Sequence, residues 1–69
     1  MSMISEILER VATHFGIAAS VPALQELDGA RKRSVKVYLG KVLLSDGITD
    51  GEINDYGRAI EDVQDQIGF

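Results

Sequence analysis

Basic residues form the densest chemical feature of this sequence. The 69-residue chain has a net charge of −4, yet five of its seven Lys and Arg residues fall within "RKRSVKVYLGK". They are Arg31, Lys32, Arg33, Lys36 and Lys41. Such a cluster can bind the phosphates of a nucleic acid, dock on an acidic protein surface, or remain solvated with local pairs such as Asp28 and Lys32. The sequence leaves these three interpretations open.

Nucleic-acid binding is the less favoured interpretation, because acids dominate the C-terminal part of the chain. Residues 46–69 carry seven acids and one base, and these acids would repel phosphates within a Debye length of about 10 Å. The four aromatic residues are also scattered along the sequence, which argues against a platform for base stacking. A DNA-associated regulator is therefore the alternative to a protein-binding function.

Protein docking is favoured because Arg31 and Lys32 fall inside the broad apolar sector of the middle helix, while Arg33 and Lys36 lie beside it. On a helical wheel Arg31, Tyr38 and Val42 lie within about 40° of one another. Interfaces are enriched in Tyr and Arg, so Tyr38 is predicted to anchor a partner. The predicted partner-binding set is Arg31, Lys32, Val35, Lys36, Tyr38 and Val42.

The acidic segment "DGITDGEIND" has the spacing of an incomplete calcium loop. Counted from Asp46, its third position is Ile48 and its twelfth is Gly57. Neither side chain supplies the oxygen that an EF-hand needs at that position. We therefore predict no metal site here.

Catalytic groups are equally scarce. The chain has one histidine, His14, and no cysteine, whereas catalysis needs a nucleophile, a base and an orienting group together. His14 is interpreted as a residue at the end of a helix, and Arg10 four positions earlier argues against a metal there. We expect a non-enzymatic protein with no catalytic residue and no cofactor.

Hydrophobic periodicity predicts helices over about 3–15, 21–44 and 50–67. The first shows apolar residues at spacings of three and four and stops at Gly16. For the last, Thr49 and Glu52 match a capping box, and Ile48 and Ile53 match a hydrophobic staple. The fold class expected is all-α, as a small three-helix bundle or a helical hairpin with an extra N-terminal helix.

The middle segment leaves two questions open. Gly29 can kink or divide the helix, and the alternating Val35, Val37 and Leu39 also fit a strand. The strand is disfavoured because Val42, Leu43 and Leu44 break the alternation.

The middle helix has more apolar surface than its neighbours are expected to cover. A broad face comprises Val21, Leu24, Leu27, Val35, Tyr38, Leu39, Val42 and Leu43. An opposing stripe comprises Ala23, Ala30, Val37 and Leu44, which recur every seven residues. We predict that this stripe forms a homodimer interface, with a docked target as the alternative, unless the first helix covers it.

Two glycines interrupt the predicted helices, Gly40 and Gly57. Each costs about 1 kcal/mol in helix propensity. We predict that both lie where helices cross closely, within the fold or in a dimer.

Size and composition indicate a small intracellular protein. No window approaches the roughly 20 apolar residues needed to span a bilayer, and the N-terminus lacks the pattern of a signal peptide. A chain this short without disulfides is often stabilised by association. We expect a cytoplasmic protein.

In length, acidity and helical character the chain resembles the phage-encoded quorum-sensing anti-activator of Pseudomonas phages. That resemblance implies binding to a LuxR-type transcription activator or to a pilus-assembly ATPase, in the cytoplasm of the host. Anti-CRISPR proteins have a similar general character. The segment "LSDGITDGEINDYGRAI" is similar to Hha-type nucleoid modulators, whose aromatic and basic content the rest of the chain lacks.

Overall fold

The fold is mostly helical, but residues 2–68 form four helices and a hairpin where three helices were predicted. A computed structural model describes residues 2–68. The elements in chain order are α1 (Met3–Phe15), α2 (Val21–Gln25), α3 (Gly29–Asp46), β1 (Ile48–Thr49), β2 (Glu52–Ile53) and α4 (Asp55–Ile67).

Helix α1 occupies the range that its periodicity predicts. The Ser2 hydroxyl accepts a hydrogen bond from the Ser5 backbone N–H at 3.1 Å, which caps the first turn. Gly16 ends the helix with a φ of +67°, a conformation that favours glycine.

The segment predicted as one middle helix forms two helices, α2 and α3. They are separated just before Gly29, where a kink or a division was considered. Helix α2 begins after Ser20, and Pro22 lies in its first turn. Helix α3 begins after Asp28, whose carboxylate accepts from the Arg31 N–H at 2.8 Å. This cap satisfies backbone donors that would otherwise be unpaired, so a new helix starts there. Residues 35–44 are helical, and the strand alternative is wrong.

A β-hairpin replaces the first turn of the predicted last helix. Asp50 and Gly51 have φ of +54° and +81°, the combination found in two-residue type I′ turns. The strands pair Ile48 with Ile53 and Thr49 with Glu52. The predicted capping box is therefore wrong, and the two isoleucines face each other across a ladder instead of forming a staple.

Asn54 provides the cap that begins α4, five residues later than the predicted start. Its Oδ1 accepts from the Gly57 N–H at 2.8 Å. Its Nδ2 donates to the Asp46 carbonyl at 3.0 Å and to Thr49 Oγ1 at 2.9 Å. One side chain thus ties together the end of α3, the hairpin and the start of α4.

The core lies around α4, which packs against α1, α2 and α3. Its fully buried side chains include Ile7, Val11, Leu24, Val35, Leu39, Ile60 and Val63. The broad face predicted for the middle segment is buried or half-buried throughout. Burial of this apolar surface is the main favourable term in folding.

Only one of the two predicted glycine crossings exists within the fold. A Cβ on Gly57 would collide with the Gly47 carbonyl oxygen, whereas a Cβ on Gly40 would meet nothing within 4 Å. No helix within residues 2–68 is both long and apolar enough to cross a membrane.

Candidate protein-binding face

Two of the predicted partner-binding residues belong to the core. Val35 is 1% exposed and Val42 is 4% exposed. They share the inner face of α3 with Leu39, because residues three, four and seven apart lie on one side of a helix. The prediction that Val35 and Val42 contact a partner therefore needs correction, since neither offers appreciable contact area.

The basic cluster is spread around α3. Arg31, Arg33, Lys36 and Lys41 are exposed and Lys32 is half-buried. At 100° per residue, Arg33 and Lys41 lie about 40° on either side of Val37. Lys36 lies about 100° from Val37 and Lys32 about 140° from it, both on the Arg33 side. The five bases thus do not make one continuous positive face.

Most of the predicted association stripe is exposed. Val37 is 54% exposed and Leu44 is 73% exposed, and Ala30 on the same line is also exposed. Helix α1 therefore does not cover this side of α3, and the alternative that it does is wrong. Ala23 is half-buried on the separate helix α2, so it does not continue the stripe. We call Ala30, Val37 and Leu44 the α3 stripe.

An open groove runs beside the α3 stripe, between α1 and α3. Its volume is about 730 Å³. Basic and apolar residues share the lining, including Arg10, Phe15, Arg33, Val37, Tyr38 and Lys41. No carboxylate of the described residues lines it. The groove thus presents positive charge and apolar surface together.

Three aromatic rings, two from α1 and one from α3, line the groove together. The His14 and Tyr38 rings stack with centroids 4.1 Å apart and planes at 18°. Phe15 meets Tyr38 edge to face at 5.6 Å and 87°. Aromatic pairs in such geometries stabilise beyond the area that they bury. Helix α1 thus brings His14 and Phe15 onto Tyr38, so that two of the four aromatic residues scattered along the sequence are in contact.

Arg10 joins three helices at one end of the groove. Its Nη1 donates to Asp46 Oδ2 at 2.7 Å and to the Tyr56 hydroxyl at 3.4 Å. The Asp46 carboxylate, followed by the hydroxyls of Tyr56 and Tyr38, raises the pKa of Arg10 above its usual value. This is the one ion pair among residues 2–68. Arg33 and Lys41 therefore keep their charges available to a ligand.

The groove lacks the groups that metal binding needs. Within the described residues no three His, Cys, Asp or Glu side chains lie close enough together to hold a metal ion. His14 lines the groove and contacts aromatic rings there. On its other side it shares a shallow depression of α1 with Glu6 and Glu9. The arrangement is suited to apolar contact and charge pairing.

No family model, curated protein or solved structure compared with the chain matches it.

Proposed function

We propose that this protein acts without catalysis, by binding a larger protein and inhibiting it. The observation that carries the proposal is the exposure of Val37 and Leu44, two turns apart on one helix and beside a groove with basic edges. Contiguous exposed apolar surface edged by polar residues is a common mark of a protein-binding site. The chemistry of the groove complements an acidic surface that also carries apolar side chains.

The binding face is built on regular helices. Arg33, Val37 and Lys41 lie within α3, whose inner face is anchored by Val35, Leu39 and Val42 in the core. A preformed surface loses little conformational entropy when it binds, which favours affinity. This is the physical advantage of a small helical inhibitor.

The resemblance described above suggests the target. We propose a LuxR-type transcription activator as the first candidate, with a pilus-assembly ATPase as the second, both in the cytoplasm of a host cell. The test is titration calorimetry of this protein with a purified LuxR-type activator, together with a reporter gene under that activator. Saturable binding with loss of reporter expression supports the proposal. It is refuted if Val37→Asp leaves both results unchanged.

Homodimerisation remains part of the proposal, but a second copy and the target would use the same surface. Met3, Ile48 and Ile53 are also partly exposed, on other elements. Because the broad apolar face is internal, the α3 stripe is the exposed apolar surface that α3 itself offers to either a second copy or a target. The two would compete for Val37 and Leu44. Sedimentation analysis of the free protein over a range of concentrations determines whether the target would encounter a monomer or a homodimer.

DNA binding is the second candidate, and the connection between α2 and α3 favours it. Three residues, 26–28, join the two helices, as in helix-turn-helix proteins, whose second helix enters the major groove. Arg31 and Arg33 are exposed in the first turns of α3. Binding to random duplex that weakens steeply as salt rises would support this function. Binding to the activator that persists at about 0.3 M salt would support the first.

A further inference from the structure

We infer that the groove beside α3 receives an acidic amphipathic helix of the target protein. This inference rests on the proposed function and names the part of the target that is bound. The apolar side of that helix would cover Val37 and Leu44, and its carboxylates would pair with Arg33 and Lys41. The length of the stripe, the helical walls of the groove and the charges beside it all favour such a partner.

The α3 stripe has the length and relief that suit a packed helix. Fourteen residues separate Ala30 from Leu44, which corresponds to a rise of about 21 Å or four helical turns. Small residues, Ser34 and Gly40, lie on either side of Val37 within about 60°. A Cβ on Gly40 would meet nothing within 4 Å, so this flank of the stripe is open. Small residues beside large ones let a second helix approach and place its side chains between them.

The walls of the groove favour a helix over an extended peptide. Both walls, α1 and α3, are helices whose backbone groups are paired along their own axes. An extended peptide that relies on main-chain hydrogen bonds binds by adding a strand to the edge of a sheet. The strands of this protein have two residues each and lie beyond the end of α3, so they offer no edge along the groove. The backbone groups of a bound helix are already hydrogen-bonded to one another, so it needs no hydrogen-bond partners from the backbone of the groove.

The two bases beside the groove define the sign and the spacing of the charges that the partner helix should carry. Arg33 and Lys41 flank the stripe eight residues apart, a rise of about 12 Å along the axis. Neither has a carboxylate partner among residues 2–68. Carboxylates seven or eight residues apart on the bound helix would match this spacing. Pairs of this kind at a solvated rim mainly govern the association rate and the choice of partner.

A second copy of this chain fits the groove less well. If two α3 helices packed antiparallel about Val37, Lys41 of each copy would face the region of Arg33 and Ser34 in the other. If they packed parallel, Lys41 would face Lys41, and like charges at a contact oppose association. The acidic helix α4 does not replace the target helix, because its apolar residues Ile60, Val63 and Ile67 are buried in the core.

The test uses synthetic helical peptides with blocked termini and about 18 residues, long enough to cover the stripe. One peptide carries Leu at spacings of three and four residues, with Glu on both flanks seven residues apart. A second has Lys in place of each Glu, and a third has the first composition in scrambled order. Binding is followed by heteronuclear NMR of the isotopically labelled full chain at about 0.15 M salt.

We expect the acidic peptide alone to bind, with the largest shifts at the amides of Val37, Lys41 and Leu44. The double variant Arg33→Glu and Lys41→Glu should weaken it at least about tenfold and should gain affinity for the Lys peptide. The matched control is Arg58→Glu, which changes an exposed base of α4 outside the groove and should leave affinity within about twofold. Val37→Asp should abolish binding.

Several results would overturn the inference. They are equal binding of the acidic and basic peptides, shifts located away from the groove, absence of binding, and a stable dimer whose contacts cover Val37. Displacement of the acidic peptide from Arg33 and Lys41 by duplex DNA would also overturn it. If the activator binds and Val37→Asp abolishes that binding while no peptide binds, this inference fails alone. If Val37→Asp leaves activator binding intact, the proposed function fails.

Discussion

The backbone of Gly47, at the end of α3, lies against that of Gly57 in the first turn of α4. A Cβ on Gly47 would lie 2.9 Å from the Gly57 Cα. The Asn54 N–H donates to the Gly47 carbonyl at 2.9 Å across the same junction. The backbones of two helices joined by a hairpin therefore meet directly here, with the Leu43 side chain packed beside both glycines. Glycine at both positions makes this approach feasible.

Alanine at position 57 should destabilise the protein. Its methyl group would collide with the Gly47 carbonyl and with the Ile53 side chain, and overpacking typically costs about 1–3 kcal/mol. Gly40→Ala is the matched control, because the space around Gly40 is open and a helical Gly→Ala change gains about 1 kcal/mol. Urea denaturation of both variants measures the difference. Equal midpoints for the two variants would contradict this account of the junction.

Asn54 should contribute more to stability than the capping box predicted from the sequence. Asn54→Ala removes the N-cap of α4 and two hydrogen bonds to the end of α3 and the hairpin, and loss of an N-cap costs about 0.5–2 kcal/mol. Glu52→Ala should change stability by less than about 0.5 kcal/mol, because Glu52 is exposed on a strand. The free energies of unfolding are compared at one temperature. A larger loss for Glu52→Ala would favour the capping box.

The turn of the hairpin should depend on Gly51. Its φ of +81° is unfavourable for residues with a Cβ, and a left-handed conformation costs about 1–2 kcal/mol. Gly51→Ala should lower the melting temperature, whereas Asp50→Asn should leave it nearly unchanged, since Asn-Gly also favours a type I′ turn. Calorimetry tests both. A Gly51→Ala variant as stable as the parent chain would be inconsistent with this turn.

Tyr38 should affect both partner binding and stability. Tyr38→Ala removes the ring that stacks on His14 and meets Phe15 edge to face. We expect partner capture to be lost while the circular dichroism of the helices is retained at 25 °C, with a decrease in stability of about 1–3 kcal/mol. Tyr38→Phe keeps the ring and should retain stability within about 1 kcal/mol. Unchanged capture by the Ala variant would remove Tyr38 from the binding face.

Val37 should affect binding without affecting the fold. Its side chain is 54% exposed, and exposed substitutions usually change stability by less than about 0.5 kcal/mol. Val37→Asp should therefore unfold at the same urea concentration as the parent while losing its partner. The core variant Val35→Asp, two residues away on the opposite side of α3, should unfold the protein, because it buries an unpaired charge. Similar stability losses in both variants would show that Val37 is part of the core.

Local sequence patterns determined the helices and the faces that they bury. The spacing of Ile7 and Val11 in α1 and of Ile60 and Val63 in α4 identified side chains that are buried in the structure. The same reasoning identified the exposure of Val37 and Leu44. These inferences succeed because a helix repeats every 3.6 residues, so one buried side leaves a periodic record in the chain.

Tertiary contacts decided the features for which local signals conflicted or were absent. Residues 48–53 carry both the pattern of a helix cap and an Asp-Gly pair typical of a turn. The turn forms, because Asn54 and the paired glycines hold the hairpin against α3. The Asp50-Gly51 pair was the available signal for that turn. The ring cluster of His14 and Tyr38 has no local signal, because its members come from different helices. Periodicity reports which side of a helix is buried, whereas the docking of one helix on another determines which side chains meet.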